Sequence, residues 1–313
     1  MNILVWHVHG SWMTAFVQGA HRYIVPVVEG RGPDGRGRAR TWDWPANVVE
    51  RTPSKLADEP VDVVVMQRPV ELSGLAERWL GGRRPGRDVP AVYLEHDAPQ
   101  GRVAEMRHPA ADRPEIELVH VTGFNDLFWD AGSTPTRVIE HGVVDPGERF
   151  TGEIARAAVV INEPVRRGRV TGTDLLPRLA RAAPIDLFGI GAGVLGGFED
   201  LRQDHLHAEM ARRRVYLHPF RWTSLGLSLV EAMLLGMPIV ALATTEVPEV
   251  VPREAGVIST HVERLARAVR ELVNEPERAR AMGRAARSAA LARFGLGRFL
   301  ADWDVLFAEM VGR

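Results

Sequence analysis

The sequence predicts two α/β domains, each built around a largely parallel sheet. Short apolar runs rich in Val and Ile alternate with segments of helical spacing along the 313 residues. The alternation resets near residue 150, where the stretch 146–153, PGERFTGE, is polar and holds Pro and Gly. The stretch 215–251 reads as strand, loop, helix and strand, a complete α/β unit. The expected domains are 1–150 and 151–295, followed by a terminal helix over 296–313.

Composition narrows the function classes. A net charge of −1 gives no general attraction to nucleic acid or to anionic membranes. There is no cysteine, so there is no disulfide, thiol nucleophile or cysteine zinc site. Lys55 is the only lysine, so other cationic contacts fall to Arg and His. The first ten residues lack a basic region followed by a long apolar run, and no apolar run nears the roughly 20 residues that span a bilayer. The expectation is a soluble cytoplasmic protein, with peripheral membrane contact and oligomeric state left open.

Asn2 to His7 reads as a buried first strand that runs into His9, Gly10 and Ser11. Gly10 sits where a backbone can approach a ligand, and a tight strand-to-helix turn explains it equally well. His7 and His9 have the spacing of metal ligands on one face of a strand end, which suggests a metal-dependent hydrolase. His205 and His207 repeat that spacing inside a helical stretch, 201–212, where such a pair diverges. Residues 30–41, GRGPDGRGRART, form a loop that offers Arg36, Arg38 and Arg40 to solvent or to an anionic ligand. Trp42 and Trp44 follow, suited to stacking on a sugar or to folding the loop back.

Strands are expected at 61–67 and 91–95, with a helix at 72–80 between them. The second strand ends in His96 and Asp97. Residues 117–121, 123–131 and 136–140 continue as strand, helix and strand. In the second half, 157–162 is a strand, followed by a basic loop with Arg166, Arg167 and Arg169, then a helix over 173–182. Gly191, Gly193 and Gly196 match the dinucleotide fingerprint formally, but the polar residues after them do not open the apolar helix that fingerprint needs.

The unit at 215–251 is the densest. Its loop holds Thr223, Ser224, Leu225 and Gly226, and an apolar helix opens at Ser228 and stops at Gly236 before Pro238. Backbone N–H groups and hydroxyls at a helix start suit a diphosphate. Ser228 and Glu231 also read as a capping box, which gives Glu231 a purely structural purpose. Helices at 262–273 and 277–293 follow. Phe299, Trp303, Leu306, Phe307 and Met310 then make one apolar stripe.

The residues Gly226-Leu227, Glu231-Ala232-Met233, Gly236-Met237-Pro238-Ile239-Val240 and Pro248-Glu249-Val250 resemble the donor-site segment of glycosyltransferase family 4. Val138 to Asp145 is similar to the segment that closes the first domain in that family. The resemblance implies a GT-B fold: two Rossmann-like domains facing a cleft, with the last helix crossing back to the first. It implies a retaining transfer of a sugar from a nucleotide-diphosphate donor to an acceptor hydroxyl, with the nucleotide sugar as substrate and no metal or other cofactor. Glu231 takes the ribose, and His96 meets the donor sugar. The arginines at 166, 167 and 169 replace the Arg and Lys that face the diphosphate, with their register open. Gly10 and Ser11 correspond to the Gly-rich first loop near the donor phosphates. The family places another Glu eight residues before Glu231; Thr223 stands there. That departure keeps a non-catalytic GT-B protein that binds nucleotide or glycan as the alternative.

Overall fold

The computed structural model describes residues 1–312 and resolves into two units, Met1–Val143 with the chain from Leu296 onward, and Val144–Gly295. The chain changes unit just ahead of the polar stretch 146–153. Residues 149 and 150 donate their backbone N–H groups to the Leu235 carbonyl, and Asp145 pairs with Arg287 at 2.7 Å.

The first unit holds a seven-stranded parallel sheet: β1 (Asn2–Val5), β2 (Arg22–Pro26), β3 (Val48–Arg51), β4 (Val63–Met66), β5 (Ala91–Glu95), β6 (Glu117–His120) and β7 (Thr136–Val138). Its order is β3-β2-β1-β4-β5-β6-β7, every pair parallel. The topological switch point therefore lies between β1 and β4, and the carboxyl ends there form the natural ligand crevice. β1, β4 and β5 are buried nearly throughout, which explains their continuous apolar runs. The expected strands at 2–7 and 61–67 are present but shorter, and the one at 91–95 has the expected bounds. β2 and β3 lie outside the expected set. RYIVP ends in Pro and VVER is half polar, so neither gives a clean buried run; they pair at one edge of the sheet.

The terminal helix, Leu296–Val311, belongs to this unit. It buries Phe299, Trp303, Leu306 and Phe307, and its three aromatic rings meet Trp12 and Phe16 of the helix Gly10–Phe16. The Trp303 ring lies 5.8 Å from Trp12 and 5.0 Å from Phe16, both edge-on. Aromatic pairs in that geometry add to the burial of their faces.

The second unit is a five-stranded parallel sheet of β8 (Ile154–Val160), β9 (Ile185–Phe188), β10 (Arg213–His218), β11 (Ile239–Leu242) and β12 (Gly256–Ser259), in the order β12-β11-β10-β8-β9. Its switch point lies between β8 and β10. The helices Val262–Asn274 and Pro276–Phe294 pack apolar residues against the sheet, as their spacing predicts.

Two local expectations are corrected and a third, the absence of a helix opening at the glycine fingerprint, is met. The basic stretch 164–171 is a helix and not a loop: Pro164 opens it, and Gly168 at φ +23° kinks it. The helix expected over 173–182 is a 3₁₀ turn, Thr173–Leu175, running into a single turn, Leu176–Leu179. The segment Gly191–Gly196 is a 3₁₀ turn between two left-handed glycines, so it opens no α-helix.

Candidate functional site

In the second unit the site is built at the switch point. β10 ends at His218, and the loop 219–226 leads to the helix Leu227–Leu234. The start of that loop is fixed from three sides. Arg221 and Trp222 donate their backbone N–H groups to the Val170 carbonyl at 2.9 and 3.2 Å. The Thr244 hydroxyl donates to the Phe220 carbonyl at 2.7 Å. Gly172, at φ +74°, lies so close that a Cβ there would sit 1.9 Å from the Pro219 carbonyl oxygen. The arginine helix and the loop are therefore one assembly.

The three candidate arginines separate on that assembly. Arg166 is exposed and paired with Glu163. Arg169 is exposed, with Asp174 at 3.8 Å. Arg167 alone is half-buried, its guanidinium 6.0 Å from the centre of the Phe220 ring. Phe220 stacks in turn on His218, 4.2 Å away and 11° from parallel. Arg221, which sequence reasoning passed over, lies in the loop with a bidentate pair to Asp174 at 2.5 and 2.9 Å. Its signal was its place two residues before Thr223.

Ser224 and Leu225 are buried, and Thr223 is half-exposed. Gly226 caps the helix with its backbone, and a Cβ on it would lie 2.7 Å from the His218 ring. Only glycine brings the backbone that close. Burial holds the His218 imidazole down at about 3, so it is neutral at pH 7. A neutral ring adds no charge beneath a loop that is to meet an anion.

The expected capping box is absent. The helix begins one residue early, at Leu227, with no side-chain cap. Ser228 instead accepts a hydrogen bond from the Tyr216 hydroxyl at 2.8 Å. Glu231 is 5% exposed, and its carboxylate lies 3.4 Å from Nε2 of His207. The Gln203 amide is 2.9 Å from the same nitrogen. Gln203 and His207 are one turn apart on the helix Gln203–Arg212. His207 was read only as half of a divergent pair; the structure makes it the neighbour of Glu231.

In the first unit, His96 follows β5 at the carboxyl edge of the sheet. Its Nε2 lies 2.8 Å from Oε1 of Gln67, which follows β4. The Gln67 amide nitrogen donates to the Trp6 carbonyl at 2.6 Å, which fixes the amide's orientation. His96 therefore donates from Nε2, and Nδ1 is left as an acceptor. Gln67 is held by Glu71, whose buried carboxylate accepts from the Gln67 backbone at 2.6 Å and from the Arg68 guanidinium at 2.7 Å. Burial, with His9 and His141 nearby, holds the His96 imidazole well below its ordinary value. The group is a neutral hydrogen-bonding imidazole. Gln67 was legible only as the last residue of a strand.

Gly10 and Ser11 begin the helix Gly10–Phe16, and a Cβ on Gly10 would lie 2.5 Å from the Trp42 ring. Trp44 donates to Thr14 at 2.9 Å, so this part of the aromatic cluster folds back onto the body. His7 and His9 diverge. His7 places Nδ1 2.9 Å from the Gly37 carbonyl, while the His9 ring lies 4.1 Å from that of His96. No group of three or more His, Cys, Asp or Glu among the described residues is arranged to hold a metal ion.

Residues 197–289 match the family model for Glycosyl transferases group 1. The segment carries the loop, Glu231 and His207. No curated protein sequence matches the chain. Among solved structures, the chain is similar to sucrose-phosphate synthase from Thermosynechococcus elongatus, with TM-score 0.73, 14% identity and 100% and 99% of the two chains covered. It is similar to Anabaena HepE in complex with UDP-glucose, with TM-score 0.68, 14% identity and coverage of 99% and 100%. A glycosyltransferase from Rickettsia africae gives TM-score 0.64 at 13% identity, covering 99% and 98%. The two parallel-sheet units and these likenesses place the chain in the GT-B fold. Among the described residues no helix is long and apolar enough to cross a membrane.

Proposed function

We propose that the chain is a retaining glycosyltransferase that moves a sugar from a nucleoside diphosphate donor to an acceptor hydroxyl. The observation that carries this reading is Glu231: a buried carboxylate behind a tightly held loop at the switch point of the second unit, within the segment that matches the group 1 family. A carboxylate there accepts from the two ribose hydroxyls of a nucleotide.

The remaining roles follow from charge. Glycosyl transfer breaks the bond from C1 of the sugar to a phosphate oxygen and leaves negative charge on the diphosphate. Arg167 is the preferred partner of that charge, because its side chain is held beside the loop while Arg166 pairs with Glu163. The backbone N–H groups from Ser224 to Gly226 supply neutral donors. Each preorganised donor of this kind is worth on the order of 3 kcal/mol in the transition state. On the retaining path the acceptor oxygen attacks C1 on the face the phosphate leaves, and the leaving phosphate oxygen takes the acceptor's proton. The chain then needs no side-chain base and no metal. His96, neutral with Nδ1 as acceptor, orients a sugar hydroxyl. Thr223 offers a hydroxyl where the family has a carboxylate.

That substitution supports a second reading, a GT-B protein that binds a nucleotide or glycan without turnover. Titration calorimetry with UDP, GDP, ADP and dTDP, with and without divalent metal, tests the first step; the UDP-glucose complex of HepE makes UDP the first choice. One nucleotide is expected to bind at micromolar strength. Glu231→Gln keeps the volume and removes the charge, and is expected to lose about 3 kcal/mol, roughly two powers of ten in Kd. If no nucleotide binds, the transferase reading falls. If one binds but neither the wild type nor Thr223→Glu hydrolyses or transfers a donor, the binding reading replaces it.

A further inference from the structure

An unassigned pocket of about 660 Å³ lies in the first unit, lined by His7, Glu29, Arg31, Arg36, Arg38 and Arg40 among others. We propose that this pocket binds a phosphate monoester group on the acceptor. The word acceptor rests on the transferase reading; the anion site rests on the residues below.

Two of the four arginines build the pocket. The Arg31 guanidinium holds Glu50 through bonds of 2.8 and 3.2 Å. Arg38 donates to the carbonyls of Trp44, Pro45 and Val48 at 2.5, 3.0 and 2.5 Å, and its backbone N–H donates to Glu50 at 2.7 Å. Arg38 thus keeps its full charge but spends its donors on the loop. A loop rich in Gly and Arg is thereby held in one shape, and Gly37, at φ +67°, turns the chain between Arg36 and Arg38.

The other two arginines have no such task. Arg36 and Arg40 are exposed, and neither has an acidic partner among the described residues. Four guanidinium groups stand against two carboxylates, Glu29 in the lining and Glu50 bound to Arg31, so two positive charges are uncompensated. That balance matches a dianion. Guanidinium groups present paired N–H donors to phosphate oxygens, which an ammonium cannot. His7 donates Nδ1–H to the Gly37 carbonyl, so its Nε2 is an acceptor for a hydroxyl of the same ligand.

Position connects the pocket to the chemistry. His7 follows β1 at the sheet's switch point, and His9, two residues on, packs its ring 4.1 Å from that of His96. The pocket therefore shares with His96 the segment that follows β1.

The test uses the whole chain and the double variant Arg36→Gln/Arg40→Gln; both side chains are exposed, so the fold should be kept. The probes are glucose, glucose 6-phosphate, inorganic phosphate, and phosphatidylcholine vesicles with and without phosphatidic acid. The wild type should bind glucose 6-phosphate at least tenfold more tightly than glucose, and the variant should lose that preference while its UDP affinity is unchanged. Binding only to vesicles with phosphatidic acid, lost in the variant, assigns the phosphate to a lipid headgroup. The proposal is overturned if the wild type prefers no phosphorylated probe, or if the variant keeps the preference. A phosphate preference without any nucleotide binding leaves the anion pocket standing and removes the transferase reading.

Discussion

Glu231 shows how one residue supports two opposed readings until its neighbours are known. Ser228 and Glu231 have the spacing of a capping box, yet the helix starts at Leu227 and Ser228 accepts from Tyr216. Freed from capping, Glu231 stands beside His207 in a buried setting. The glycines of this region have equally specific tasks. Gly172→Ala places a Cβ against the Pro219 carbonyl at a left-handed φ of +74°, so nothing but main chain can give way. Destabilisation of about 3 kcal/mol is expected, read as a lower urea midpoint. Nucleotide affinity should fall with it, because the Val170 carbonyl would no longer hold the loop. A Gly172→Ala protein with an unchanged midpoint would show that the loop start tolerates displacement.

At the scale of elements, the helix Pro164–Thr171 and the terminal helix make opposite cases. The stretch PVRRGRVT has a central glycine and little apolar periodicity, so it reads as a loop; its helix is sustained by Pro164 at the start and by the bonds its end makes to the loop 219–226. The terminal helix announces itself, because Phe299, Trp303 and Phe307 recur at helical spacing. Trp303 is 1% exposed, and removing its ring as Trp303→Ala should cost about 3–5 kcal/mol by chemical denaturation. Trp303→Phe should cost distinctly less. The indole N–H has no partner among the described residues, so the exchange forfeits packing but no hydrogen bond. Equal losses for the two variants would contradict that account.

The whole molecule carries its buried histidines into its pH response. Burial holds His120 at about 4, and His141 and His218 at about 3. In the unfolded chain each titrates near the ordinary 6.5. Between those limits the unfolded state binds more protons than the folded state, so stability falls as pH drops below about 6.5. Each such histidine adds a slope of up to about 1.4 kcal/mol per pH unit. The melting temperature should therefore be lower at pH 5 than at pH 7, and a flat profile across that range would mean that these rings titrate alike in the folded and unfolded protein. The two sheets also set where chemistry can occur. Strand orders β3-β2-β1-β4-β5-β6-β7 and β12-β11-β10-β8-β9 each have one switch point; the loop that carries Thr223 leaves β10 beside the second, and His96 follows β5, one strand beyond the first.

The sequence by itself determined the α/β class, the reset near the middle of the chain and the strand-loop-helix-strand unit at 215–251. Those depend on short-range periodicity, which any buried strand or amphipathic helix must display. It did not reveal β2 and β3, whose runs are cut by Pro or polar residues; β1 offers an edge to β2, and β2 in turn offers one to β3. Nor did it distinguish Arg167 from Arg166 and Arg169, since one guanidinium differs from another only by what lies beside it. The partners of Glu231 and His96 were hidden for the same reason. His207 is 24 residues from Glu231 and Gln67 is 29 from His96, separations that only the packing of parallel strands and their crossover helices brings to hydrogen-bonding range.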